Sequence, residues 1–508
     1  MRTIHQAVET AEIYSPAEEA FNRRRRTVGL FLAPLAAVAL LILPLPVPAT
    51  AHRTAAILAA VMILWVSEAL PLAATALLGP VLAVLMQVAP ARQAFAPFAD
   101  PIIFLLIGSF ILAQSMFVHA VDRRIAYTAL GLPGVGTSAF RILLVYGAVT
   151  TTLSMWISNT ACTAMMFPIG LAIAGHVARA GGAHPTRVRQ FAQAMMLMTA
   201  FGASVGGIGT PVGTPPNLIG IGMLQSLAHV NVTFFQWMAL GVPIMVLLFG
   251  YLVVAFYFSS ARGLPFAAGS IELVRMERDR LGPMTTAQRN VLGAFAATVL
   301  LWILPGALAM VGLDDVPWAR TYAAALPESI AAMLGALSLF VLPINWRRRR
   351  FTLTWEEAVK IDWAVILLYG GGLAMGDLAF QSGLATAVGN GITTLLPSQS
   401  TFALTILFTG AAILISETAS NGASATMIVP ISIAVAQAAG VRPIEPVLGA
   451  TLGASLGFMM PISTPPNAIV YSSGYVPIGQ MMRHGILLDV VGFVVIVTLV
   501  LTLCPIIF

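Results

Sequence analysis

The sequence predicts an all-α polytopic membrane protein with about eleven transmembrane helices, two re-entrant hairpins and two inverted repeats. Three observations carry this. Of the 508 residues, 58% are hydrophobic and only 9% charged, against roughly 25% charged in an ordinary soluble chain. Apolar stretches recur from residue 28 to the end, and each spanning helix needs about 20 such residues. Finally, a polar dipeptide inside apolar sequence is written twice: SNTACTAMMFPI begins at Ser158 and SNGASATMIVPI at Ser420, 262 residues on, with six of twelve positions identical.

Composition also removes several functions. No polar stretch is long enough to fold as a separate soluble domain. The net charge of +6 resides almost wholly in arginines, clustered between apolar segments; such clusters set membrane orientation, and no nucleic-acid partner is expected. Cys162 and Cys504 lie in apolar sequence and offer no metal or disulfide framework. The seven histidines are scattered, with no pair at metal-ligand spacing.

In chain order, residues 1–26 read as a cytoplasmic tail and 27–54 as the first transmembrane helix. ATA at 49–51 resembles a signal-peptidase site, but the long polar leader and long apolar stretch fit a retained anchor better. Residues 55–262 form the first repeat, with a hairpin at 142–175 and a broken helix at 193–225. A cytoplasmic linker spans 263–288. The second repeat, 289–508, has its hairpin at 402–440 and its broken helix at 446–472.

The hairpins follow from charge. Counting every apolar block as a crossing scatters the basic loops over both faces. If 142–175 and 402–440 instead enter and leave on one side, 22 of the 26 basic residues fall inside, and only Arg53, Arg92, Arg320 and Arg442 fall outside. The N-terminus is then cytoplasmic, the C-terminus external, and the hairpins enter from opposite faces, as inverted repeats require. A multi-pass protein of the cell inner membrane results. Scarce Lys with abundant Ala and Arg points to a GC-rich bacterial source.

The repeat extends beyond the hairpins. DPIIFLLIGSF at Asp100 and DWAVILLYGGG at Asp362 share the offset of 262, and each opens a helix with an N-capping Asp. Further on, ASVG at Ala203 matches ASLG at Ala454, and TPPN at Thr214 matches TPPN at Thr464. Around TPPN, glycines and prolines crowd into apolar sequence, so each block should be two half-helices joined by a non-helical strip. In lipid such a strip survives only against protein or a water-filled cavity. Two strips at matching positions, each paired with a Ser-Asn tip, mark a binding site.

The tips offer hydroxyls and carboxamides from Ser158, Asn159, Thr160, Ser420 and Asn421, together with half-helix N-termini, all of which favour anions. The strips free backbone carbonyls, hard ligands for a small cation such as Na+. Neither tip motif carries Lys, Arg or His, so cations bound alongside would offset an anion's charge, which is a physical reason for coupled symport. An anion exchanger or proton-coupled carrier for dicarboxylate, citrate or sulfate is the alternative. An intramembrane enzyme would need a nucleophile with a base or a metal triad, and the candidate serines have no His or Asp partner in their motifs; a channel is disfavoured by the duplicated site.

SMWISNTA (154–161), SETASNGA (416–423), GTPPN (213–217), STPPN (463–467) and WVSEALPLAATALL (65–78) resemble the divalent-anion:sodium symporter (DASS) family of dicarboxylate, citrate and sulfate transporters, over residues 28 to 506. The resemblance implies a homodimer with a scaffold domain and a transport domain working by an elevator mechanism. It also implies one Na+ held by Ser154, Ser158, Asn159 and the carbonyl of Gly213, and another held by Ser416, the carbonyl of Ala419, Asn421 and the carbonyl of Ser463. Substrate carboxylates would meet Asn159, Thr160 and Thr214 from one half and Ser420, Asn421, Thr464 and Pro465 from the other. A small dianion, most simply a C4-dicarboxylate such as succinate, is the implied substrate. Gly422 departs from the Thr that the family often has there, which enlarges the pocket. Glu417 is either functional or a bonding group that fixes its hairpin; Glu68 and Glu328 are expected to cap helices, and Asp377 and Asp489 carry no site assignment.

Overall fold

The protein is described from a computed structural model covering residues 16–179, 184–262 and 270–508. Among these residues the architecture is helical, except for a two-stranded antiparallel pair, Pro343–Asn345 with Arg350–Phe351, which turns the chain at the Arg347–Arg350 cluster. Among the described residues, eight helices are long and apolar enough to cross a membrane, and Pro317–Ala325 with Glu328–Val341, bent by 65°, makes a ninth candidate. Length alone is not topology. The eight include Asn159–Val177, one arm of the first hairpin, and omit Leu72–Leu85, which has only 14 residues.

The first helix runs Pro16–Ile42, so it starts within the stretch expected to be a tail and ends before residue 54. Its basic run continues as helix beyond the apolar segment, because a helix does not stop where hydropathy does. Ala49–Ser67 follows. The expected linker contains a helix, Ser270–Arg280; its residues 263–269, like 1–15 of the tail, lie outside the described residues.

The segments expected as hairpins hold the helix pairs Ala139–Ser154 with Asn159–Arg179 and Thr401–Ser416 with Asn421–Ala438. Those expected as broken helices hold Pro185–Gly207 with Pro215–Ala228 and Ile444–Gly453 with Pro465–Tyr471. The matched acids cap as expected. Asp100 accepts from the Ile102 amide at 2.9 Å, and Asp362 from those of Ala364 and Val365 at 3.1 and 3.3 Å. The two helices they start, Pro101–Val118 and Trp363–Gln381, each take a partner from the other half of the chain: Glu328–Val341 packs on the former and Leu72–Leu85 on the latter. Glycine permits both approaches. A Cβ on Gly108 would lie 2.6 Å from the Ala332 carbonyl carbon, and one on Gly371 would lie 2.3 Å from the Ala76 oxygen.

The same exchange organises the interior. Pro465–Tyr471 packs on Pro185–Gly207 and on the second arm of the first hairpin, while Pro215–Ala228 packs on the second arm of the second hairpin and on Ile444–Gly453. Each hairpin therefore meets the half-helix that follows the other hairpin's strip, and the two sets of motifs converge.

Candidate functional site: two tips and two strips

Each tip is a four-residue break, 155–158 or 417–420, where the chain reverses between helices. Ser158 Oγ accepts from the Ala161 amide at 3.3 Å and Ser420 Oγ from the Ala423 amide at 3.3 Å, which is ordinary N-cap chemistry for a helix that restarts. Behind the caps, Ser154 Oγ donates to Asn159 Oδ1 at 2.8 Å and Ser416 Oγ to Asn421 Oδ1 at 2.9 Å. The duplicated sequence thus folds into a duplicated hydrogen-bond pattern.

The strips match as closely. Asn217 Nδ2 donates to the carbonyls of Gly207 and Thr210, both at 2.8 Å; Asn467 Nδ2 donates to those of Gly457 and Met460, both at 3.0 Å. Both asparagines are fully buried. Where the helix breaks, its orphaned carbonyls need donors, and the last residue of TPPN supplies two in each half. These clips were not among the residues assigned from sequence. The signal was there in the repetition of the whole tetrapeptide, Asn included.

Tip and strip are tied in both halves. Thr210 donates its hydroxyl to the Met155 carbonyl, and Ser463 donates to the Glu417 carbonyl at 3.0 Å; Met155 and Glu417 stand at the offset of 262. Asn159 lies against Gly207, where a Cβ would come within 2.5 Å of Oδ1, and a Cβ on Gly213 would come within 2.5 Å of the Gly207 oxygen. In the second half Gly457 lies against Asn421 and Ser416, while Asn421 Nδ2 reaches the Ser455 carbonyl at 3.4 Å. Gly422 faces Pro215 of the first strip and Leu368, so the second tip borders the first half's motif.

Exposure grades the assigned residues. Ser158, Thr160 and Pro465 are exposed, and Asn159, Ser420 and Asn421 part-buried, whereas Ser154, Gly213, Thr214, Ser416, Ala419, Ser463 and Thr464 are buried. The oxygens collected are hydroxyl, carboxamide and backbone carbonyl, all neutral. No group of three or more His, Cys, Asp or Glu suited to a metal ion occurs among the described residues.

The charged residues nearby take distant partners. Glu417 makes the bonds expected of a group that fixes its hairpin: Oε1 accepts from the Phe458 amide at 2.7 Å and from that of Met459 at 3.0 Å, and Oε2 accepts from Ser463 Oγ at 2.8 Å. Asp489 is buried beside it. Glu328 stands at the start of its own helix and accepts from the amide of Phe234, the first residue of Phe234–Phe256, so the helix it caps is that one. Glu68 sits past the end of Ala49–Ser67 in the left-handed region at φ 49°, 3.0 Å from Arg25. Arg25 also donates to the Thr418 carbonyl at 3.1 Å, bringing to the second tip a cation that its own motif lacks.

Discontinuous helices facing helix-hairpin tips inside an apolar bundle are the architecture of a secondary transporter. A family model described as the sodium:sulfate symporter transmembrane region matches residues 25–508. The sodium-dependent dicarboxylate transporter SdcS of Staphylococcus saprophyticus is 33% identical over 485 residues, 94% of this chain and 91% of that protein. SdcS of Staphylococcus aureus is 33% identical over 487 residues, with the same shares. The Alcanivorax borkumensis YdaH transporter, whose crystal structure is described as having an unusual topology, is similar with a TM-score of 0.52 and 12% identity, over 81% of this chain and 86% of that one; at that identity the likeness concerns the fold alone. The chain belongs to the sodium:sulfate symporter family, that is, the divalent-anion:sodium symporters.

Proposed function

We propose that this chain is a Na+-coupled symporter of a small divalent anion, with a C4-dicarboxylate such as succinate as its substrate. The carrying observation is the pairing: both tips and both strips make the same Ser-to-Asn and Asn-to-carbonyl hydrogen bonds and pack crosswise into one region. On this reading Ser154, Ser158, Asn159 and the Gly213 carbonyl hold one Na+, and Ser416, the Ala419 carbonyl, Asn421 and the Ser463 carbonyl hold the other. Asn159, Thr160, Thr214, Ser420, Asn421, Thr464 and Pro465 meet the substrate. The exposed and part-buried Ser158, Asn159, Thr160, Ser420, Asn421 and Pro465 can reach a ligand, and the buried Ser154 and Ser416 brace the two asparagines from behind.

The electrostatics favour coupling. Arg25, the guanidinium bonded to the second tip, is offset by Glu68, so a dianion entering among neutral donors is poorly balanced unless cations accompany it. The sodium and the dicarboxylate in the relatives' names, and the sodium in the family description, support the same reading; hydroxyl and amide donors serve carboxylate and sulfate alike.

About eleven crossings, inverted repeats, a cytoplasmic N-terminus and an external C-terminus complete the proposal, with a homodimer in which the hairpins and broken helices move as a body by an elevator mechanism. Arg25 belongs to the basic run before the first apolar segment, and its bond to the Thr418 carbonyl ties that run to the second tip.

The test is uptake of labelled succinate by proteoliposomes holding the purified protein, with an inward Na+ gradient and then with choline in its place. Uptake that requires Na+ is expected. Exchange from succinate-loaded vesicles without Na+ would make the protein an antiporter and remove both Na+ assignments; no movement of succinate in either format would remove succinate as the substrate.

A further inference from the structure

We propose that the cleft between the first helix, the second helix and the second hairpin binds one anionic phospholipid. Pro16–Ile42 and Ala49–Ser67 touch at Gly29, where a Cβ would lie 2.0 Å from Ser67 Oγ. Beside this contact lies a cleft of about 580 Å3 whose walls include Val28, Leu32, Met62, Val66, Met427 and Ile431. The walls are apolar, and Arg24 and Arg25 also line the cleft.

The charge bookkeeping separates those two arginines. Arg25 is taken by Glu68 and the Thr418 carbonyl, and Arg26 lies 3.9 Å from the same Glu68. Arg24 is exposed and has no ion pair among the described residues. Arg24 therefore presents beside hydrocarbon walls a guanidinium with no ion pair among the described residues, and a guanidinium recognises phosphate oxygens. A zwitterionic lipid suits the walls but brings its own cation to Arg24, whereas free phosphate suits Arg24 and leaves the walls uncovered. An anionic glycerophospholipid satisfies both. Its acyl chain would touch the first two helices and the hairpin that carries Ser420 and Asn421, next to the Arg25–Thr418 bond, so it braces that hairpin.

Binding is read without transport, so failure here leaves the proposed function standing. The full-length protein in neutral detergent is equilibrated with phosphatidylglycerol or with phosphatidylcholine of the same acyl chains, and retained lipid is counted by native mass spectrometry. One retained phosphatidylglycerol per chain is expected, with about fivefold preference over phosphatidylcholine, the worth of one arginine near an anionic headgroup. Arg24→Ala should abolish the preference and Arg24→Lys preserve it, while Met427→Trp, which fills the cleft, should reduce retention of both lipids. Equal retention by the wild type, or a preference that survives Arg24→Ala, overturns the proposal. So does retention that appears only once residues 1–15 are removed, which would make that segment the occupant, and so does displacement of the lipid by inorganic phosphate.

Discussion

Replacing Asn217 or Asn467 by alanine should loosen one strip without unfolding the bundle. Each asparagine is fully buried and gives two hydrogen bonds, at 2.8 Å for Asn217 and 3.0 Å for Asn467. Removing the donor strands the Gly207 or Gly457 carbonyl, at about 1–3 kcal/mol, while the Thr210 and Met460 carbonyls keep the amides of Gly213 and Ser463. That penalty raises the population of an opened strip by at least roughly fivefold, since 1.4 kcal/mol is tenfold. Because the strip carries Gly213 and Thr214 in one half and Ser463 and Thr464 in the other, opening it should cost ion and substrate binding together. Hydrogen–deuterium exchange over 207–217 or 457–467 reads the opening, and the Na+ dependence of uptake reads its effect on the site. Asn217→Asp is the sharper variant, since it keeps the shape, removes both donors and places an acid against two carbonyls. Exchange and uptake unchanged from wild type in Asn217→Ala would refute the role of the clip.

Other substitutions follow from the same geometry. Asn159→Ala and Asn421→Ala should each lower uptake more than tenfold at normal membrane insertion, because each amide is assigned to both ion and substrate; normal transport at equal expression would sink that assignment. Gly422→Thr should shift preference among succinate, citrate and sulfate, provided Leu368 gives way, since a Cβ there meets its Cδ2 at 3.0 Å; an unchanged competition profile would remove this position from selectivity. Gly108→Ala and Gly371→Ala put a methyl within 2.6 and 2.3 Å of another helix's backbone, so each should destabilise by about 1–3 kcal/mol; unaltered melting temperatures would mean those helices are held elsewhere.

What could be read from the sequence was what repeats. The hairpins and broken helices stood out because the chain states each twice, and a second copy turns an odd Ser-Asn or Thr-Pro-Pro-Asn into a pattern. Positions defined by distant partners stayed hidden. Arg25 lies 393 residues from Thr418, and nothing near either one signals the bond. Glu328 is a helix-start acid, as it looks, but the amide it caps belongs to Phe234, which opens another helix 94 residues away. Glu68 stands three residues before Pro71 and so suggests a helix start or break; it lies at a helix end, but nothing nearby signals the guanidinium of Arg25 that it faces. The early start at Pro16 was missed for another reason: apolar content marks the part of a helix in contact with lipid and says nothing of the turns that continue into the headgroups.

The halves are also unequal, and the inequality falls in the broken helices. Before its break the first runs 23 residues, Pro185–Gly207, and the second only 10, Ile444–Gly453. The spacing between matched residues accordingly falls from 262 at the tips to 250 at the strips, a loss of twelve residues, or roughly 18 Å of helix. If the two end states of transport exchange the environments of the two halves, a long lever replaces a short one at each swap. Such a swap would not return an equivalent structure, so the two faces of the membrane would meet carriers of different shape.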